Sequence, residues 1–146
     1  MSSSEIIHGD CRVLRIALPP GLPLLNANDR RSHYQRAKLT REIKAEVVKL
    51  VKNEEPFTGK VRIRATYSPG TRHRHDPGNL YPSVKAAVDA LVPQKSRKVK
   101  GKMVEPPPFV PLLADDSSEY VSEVSLVIAE QIVPKGQLVI QVISDE

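Results

Sequence analysis

The feature that most constrains the fold is the passage across residues 72–91. It opens as the basic run Arg72-His73-Arg74-His75, carries one acid at Asp76, turns through Pro77-Gly78-Asn79 and enters an amphipathic helix. Leu80, Val84, Ala87, Val88 and Leu91 recur at helical spacing, which predicts one apolar face. Tyr81, Lys85 and Asp89 form an adjacent row at i, i+4 and i+8. Asn79 reads as the N-cap, with Pro82 in the first turn, where backbone N–H groups lack intrahelical partners. Asp-Pro-Gly-Asn is also a turn signal, with Gly78 expected at positive φ. Turn chemistry alone accounts for that tetrapeptide. A second acidic point, Asp115-Asp116, adds a functional reading. Mg²⁺ takes hard oxygen ligands, and carboxylates brought from separate elements supply them.

Around this passage the pattern alternates between strands and helices. Residues 1–10 are polar and expected to be loose. Leu14, Ile16 and Leu18 alternate across residues 11–18 and predict a strand, ended by Pro19-Pro20-Gly21. Asn26 and Asn28 read as turn formers in the loop that follows. Residues 30–53 read as a helix whose buried stripe is Leu39, Ile43, Val47, Leu50 and Val51. Arg30, Arg31 and Arg36, near its start, are the better candidates for DNA contact. The later lysines read as a solvated face, and Tyr34 as a packing residue, with stacking on a base as the alternative. Residues 60–67 give the clearest strand, with Val61, Ile63, Ala65 and Tyr67 alternating with Arg62, Arg64 and Thr66. Arg72 and Arg74 suit phosphate, because guanidinium matches it bidentately. His73 and His75 beside a single Asp make a weak zinc signal.

Residues 92–111 carry Lys95, Arg97, Lys98, Lys100 and Lys102, then Pro106-Pro107-Pro108. Like charges there argue against a compact free state. Two readings stay open: a tether that grips the DNA backbone, or a disordered surface insert. Asp115 and Asp116 follow, then strands around Val124, Leu126 and Ile128 and around Leu138, Ile140 and Val142. The last two strands are expected to pair as an antiparallel hairpin. The whole predicts one domain over residues 1–146, of α/β (α+β) class, with a mixed sheet of about four strands and helices packed on it. Two strand-to-loop junctions are expected to bring Asp76 and Asp116 to a common sheet end.

Composition narrows the function classes. The formal charge of +5 favours an anionic partner, nucleic acid above all. Aromatics at 4% and the absence of Trp require an aliphatic core. One cysteine, Cys11, excludes an intramolecular disulfide and fits a reducing compartment. No signal peptide is read at the start, and no apolar run approaches the roughly 18 residues of a membrane span. A cytoplasmic location without a membrane or small-molecule cofactor is the expectation. No P-loop or nucleophile elbow occurs.

Taken together, His75-Asp76-Pro77-Gly78-Asn79-Leu80, Lys85-Ala86-Ala87-Val88-Asp89-Ala90-Leu91 and Leu113-Ala114-Asp115-Asp116-Ser117 resemble the RusA family of Holliday-junction resolvases. That family has an Arg-rich lead-in to Asp-x-Asp-Asn, a Lys-Ala-Ala-x-Asp-Ala-Leu helix and an Asp-Asp pair before a strand. The Pro-Lys-Gly-Gln-Leu-Val-Ile ending agrees, and the resemblance runs from about Leu14 to Ile143. It implies a homodimer that resolves four-way junctions and related branched DNA with Mg²⁺, or Mn²⁺ in its place. The expected setting is a bacterial or phage-infected cell. Asp76 and Asp116 would bind metal, with Asp115 or Asp89 as a further ligand. Lys85 would hold the scissile phosphate and Asn79 would orient the loop; Lys95, Arg97, Lys98 and Lys100, in the insert that the family lacks, are candidates for backbone contacts under the tether reading alone.

The chain departs from the family pattern in three places. Gly78 stands where the second motif acid falls, Tyr81-Pro82-Ser83-Val84 lengthens the Asn-to-Lys spacing by about three residues, and residues 92–111 are longer than the family connection. The first departure leaves a second expectation open: a branched-DNA-binding protein that has lost cleavage.

Overall fold

The computed structural model describes residues 2–7, 11–28, 30–72, 76–106 and 109–145. Five strands form one sheet in the order β1-β2-β7-β3-β6. They are β1 (Ser2–Ile7), β2 (Cys11–Ala17), β3 (Val61–Ser68), β6 (Val121–Ile128) and β7 (Gln137–Ser144). Two helices, α1 (His33–Leu50) and α2 (Tyr81–Asp89), complete the core, and β4 (Arg97–Val99) pairs with β5 (Lys102–Val104) in a separate ribbon. The α+β class with a mixed sheet is as expected.

Alternation decides which sheet face is buried. Leu14, Val142 and Ile63 lie in register across β2, β7 and β3, and Ile16, Ile140 and Ala65 form the next row. All six are buried, while the opposite face carries Arg15, Gln141 and Arg64 in register. The helices close the buried face with Leu39, Ile43 and Val47 of α1 and Val84, Ala87 and Val88 of α2, in one aliphatic cluster. Truncating a core side chain such as Ile63 to Ala costs about 2–5 kcal/mol. Ser32 starts α1 through a reciprocal capping box with Gln35, readable as Ser-x-x-Gln.

Several expectations need correction. Residues 2–7 form an edge strand on β2, in antiparallel register from Ser2↔Ile16 to Ile7↔Cys11. Backbone groups on the open edge of β2 supply that pairing, so side-chain patterning gives no sign of it. The two C-terminal strands do not pair with each other, because β3 lies between them, parallel to β6 and antiparallel to β7. The connection crosses the end of β3, held by bonds from the Ala129 N–H to the Tyr67 carbonyl (2.8 Å) and from the Val133 N–H to the Pro69 carbonyl (3.0 Å). Tyr34 is 72% exposed rather than packed, since it falls off the Leu39–Ile43–Val47 stripe. Among the described residues, no helix is long and apolar enough to cross a membrane.

Candidate active-site cleft

β3 and β6 are parallel neighbours, so the chain must travel back along the sheet between them. α2 makes that return. Asp76 precedes the 3-10 turn, Pro77–Leu80, that leads into it, Asp89 ends it, and Asp116 precedes β6. The exit of β3 and the entry of β6 lie at opposite ends of the pair, so these two strand junctions do not share a sheet end. A nine-residue α2 spans about 13 Å between them.

A cleft of about 170 Å³ runs between α2 and β6. Tyr81, Lys85 and Asp89 line it from the helix, with Asp116 and the apolar wall of Val84, Val88, Val121 and Val124. The i, i+4, i+8 row thus faces one space together with an acid from a separate segment. Lys85 Nζ sits 3.6 Å from Asp89 Oδ1, with side-chain exposures of 65% and 33%. In water such an i, i+4 pair contributes roughly 0.3–0.5 kcal/mol, so a stronger anion can displace it.

Asp76 has a different local role and is not among the residues lining the cleft. Its Oδ1 accepts the Gly78 N–H at 3.1 Å and caps a 3-10 turn, Pro77–Leu80, which lies against β6. Asn79 is not the N-cap of α2: Leu80 holds that position without a side-chain cap bond, and Asp76 caps the preceding 3-10 turn, where Pro77 takes the first position and its missing N–H is not needed. Gly78 does not have positive φ, and a Cβ there meets only Asp76 Oδ1, at 3.5 Å.

Asn79 instead receives the neighbouring loop. Its carbonyl accepts the Ala27 N–H at 2.7 Å, and its Oδ1 accepts from Asn28 Nδ2 at 3.2 Å. Asn26 Oδ1 accepts the Asn28 N–H at 2.9 Å, an Asx turn. The side chain that locks this arrangement, Ser83, was missed from sequence. Its one signal is a small polar residue inside an apolar helix face. Ser83 is fully buried and exchanges two hydrogen bonds with the Leu25 backbone.

Asp115 and Asp116 also part company. The Asp116 backbone N–H and then the Ser117 side chain hydrogen-bond the Asp115 carboxylate and hold its pKa below the ordinary value. Asp115 is thereby a turn-former, and Asp116 is the acid at the cleft. Among the described residues, no group of three or more His, Cys, Asp or Glu side chains is arranged to hold a metal, so Asp76, Asp89, Asp115 and Asp116 do not form one cluster. Asp116 and Asp89 are the two acids at the cleft.

The expected DNA contacts are scattered. Arg30 and Arg72 are exposed, and Arg31 donates to the Leu24 carbonyl at 3.1 Å, which ties the loop to the start of α1. Lys95, Arg97, Lys98 and Lys100 are exposed in or beside the β4–β5 ribbon. Arg74, His73 and His75 lie outside the described residues. A second groove, of about 360 Å³, adjoins the same loop and includes Asn26, His33, Arg36 and Pro82. No family model matches the chain, and no curated protein matches it at a significant level.

Proposed function

We propose that the protein is a Mg²⁺-dependent, structure-selective endonuclease of the RusA type, acting on four-way junctions and related branched DNA. One observation carries the reading: Lys85, Asp89 and Asp116, which fall in the motifs behind the family resemblance, line a single cleft. Mg²⁺ uses one or two carboxylates and keeps several waters, so the Asp116 and Asp89 oxygens fit it as a donor set. Bound there, the ion would supply an activated water and offset charge on the phosphate. Lys85 would exchange Asp89 for a phosphate oxygen and hold it as negative charge grows. Exposed cations elsewhere give sequence-independent, salt-sensitive affinity, and junction shape rather than base edges selects the substrate. A homodimer would present two clefts to a two-fold symmetric junction.

A second reading is a branched-DNA binder without cleavage. Gly78 in place of an acid, and the lack of a three-acid cluster among the described residues, favour it. Incubating the protein with an end-labelled synthetic four-way junction in Mg²⁺, Mn²⁺ or EDTA separates the two. Metal-dependent paired nicks, absent on linear duplex, support the nuclease. Tight junction binding with no cutting in either metal supports the binder.

A further inference from the structure

The chain between α2 and β6 has a shape that the cleft chemistry does not use. It leaves the core at Leu91 and returns at Leu112, both fully buried. The Leu91 carbonyl accepts the N–H groups of Leu112 and Leu113 at 2.9 and 3.0 Å. Gln94 Nε2 fixes the stem by donating to the Asp89 and Val92 carbonyls, each at 2.7 Å. From this anchored root rises the β4–β5 ribbon, whose six strand residues are all exposed. Core burial therefore does not account for it, and an isolated two-stranded ribbon is only marginally stable in water.

Its chemistry is regular. Arg97 pairs with Val104, Lys98 with Met103 and Lys102 with Val99, so each cross-strand pair joins one cation to one apolar side chain. Lys100 and Gly101 form the two-residue turn, at φ 51° and 81°. Positive φ at both positions is the mark of a tight hairpin turn. The left-handed region is unfavourable for lysine, so the tip charge is held against a conformational cost. Lys95 to Val104 contains five cations and no acid, and none of the five has an ion pair among the described residues.

We propose that this ribbon is a DNA arm that docks in the major groove of a duplex, with Val99 and Val104, which share a face with Arg97 and Lys102, against base edges and sugars and the cations on phosphates. The proposal rests on the DNA-directed reading above and adds the part that holds the duplex flanking the branch. Three residues per strand give a length of about 10 Å, with strands about 4.8 Å apart. A major groove about 12 Å wide admits such a ribbon.

The test compares the wild-type protein with a variant carrying Lys95→Gln, Arg97→Gln, Lys98→Gln, Lys100→Gln and Lys102→Gln, which keeps the apolar residues and Gly101. All five positions are exposed, and far-UV circular dichroism confirms folding. Binding to a duplex and to a four-way junction is measured in EDTA across a salt series, with dimethyl sulfate probing guanine N7 in the major groove. The expected result is affinity at least 10-fold weaker in the variant. The log–log salt slope should fall by about 0.9 for each phosphate that the variant no longer neutralises. N7 protection should appear with wild type and vanish with the variant. Equal slopes and affinities overturn the arm, and a slope change without N7 protection overturns groove docking. Junction cleavage in Mg²⁺, run in parallel, separates the two proposals. Cleavage with an unchanged slope rejects the arm alone, arm-dependent protection without cleavage rejects the nuclease alone, and no DNA binding by wild type rejects both.

Discussion

Ser83 and Leu25, 58 residues apart in sequence, share two hydrogen bonds of 2.7 Å: the Ser83 hydroxyl accepts from the Leu25 N–H and donates to the Leu25 carbonyl. One buried hydroxyl thus satisfies both backbone groups of a buried residue and clamps the loop before α1 to the first turn of α2. Ser83→Ala leaves two backbone groups without partners, each worth roughly 1–3 kcal/mol when buried. The variant is expected to lose about 2–5 kcal/mol in urea unfolding, with an unchanged m value. A loss below about 1 kcal/mol would mean that water replaces the hydroxyl.

The acids are separated by replacing each with Asn. Asp116→Asn removes the cleft acid that precedes β6 and is expected to abolish metal-dependent junction cleavage, with junction binding unchanged or tighter. Asp76→Asn keeps an acceptor for the Gly78 N–H, since Asn caps as well as Asp, but removes the charge. Unchanged thermal stability with preserved cleavage is expected, which limits Asp76 to capping the 3-10 turn. Lost cleavage in a variant of unchanged stability would instead place Asp76 in the chemistry.

How far the sequence could be read depended on which physical signal each feature leaves. Side-chain periodicity reports faces, so the apolar stripe of α2, the Tyr81–Lys85–Asp89 row and the Val61–Ile63–Ala65 face of β3 were all legible. It does not report neighbours. Nothing in the alternation of residues 121–128 and 137–144 says that β3 lies between them, because that depends on where the crossing chain bonds at Tyr67 and Pro69. That Asp116 and Asp89 line one cleft is likewise a matter of strand order rather than of side-chain period. β1 was missed because backbone groups, which carry no residue identity, make the pairing. The ribbon was obscured by its charges, which argue for an open chain, while its fold depends on a turn at Lys100-Gly101 and an anchored root.

Lys85 is tested against its own salt bridge. If it serves only the Asp89 pair, Lys85→Ala should cost roughly 0.3–0.5 kcal/mol and leave cutting intact. The expected outcome differs. Lys85→Ala should retain nearly all stability while single-turnover cleavage falls about 100-fold or more, the size associated with losing one charge-stabilising group. Lys85→Arg keeps the charge, so partial recovery should separate electrostatics from packing.

Gly78 decides between the two functional readings. The turn signal puts it at positive φ, where an added side chain would cost about 1 kcal/mol or more. The structure removes that objection: its φ is not positive, and a Cβ meets only Asp76 Oδ1, at 3.5 Å. Replacing a glycine where the new residue fits without strain also reduces the freedom of the unfolded chain, by about 0.4–1 kcal/mol in favourable cases. Repulsion between neighbouring carboxylates at positions 76 and 78 opposes that gain. Gly78→Asp is therefore expected to unfold within about 1 kcal/mol of wild type and to bind Mg²⁺ or Mn²⁺ at least as tightly, read by isothermal titration. Its junction assay then carries the argument. New metal-dependent cleavage by Gly78→Asp beside an inactive wild type would identify the natural protein as the binder. Equal cleavage by both would mean that Asp116 and Asp89 already complete the site. Cleavage abolished in a well-folded Gly78→Asp would show that the added carboxylate competes with Asp76 or blocks the phosphate path, and the position is then not equivalent to the family's second acid.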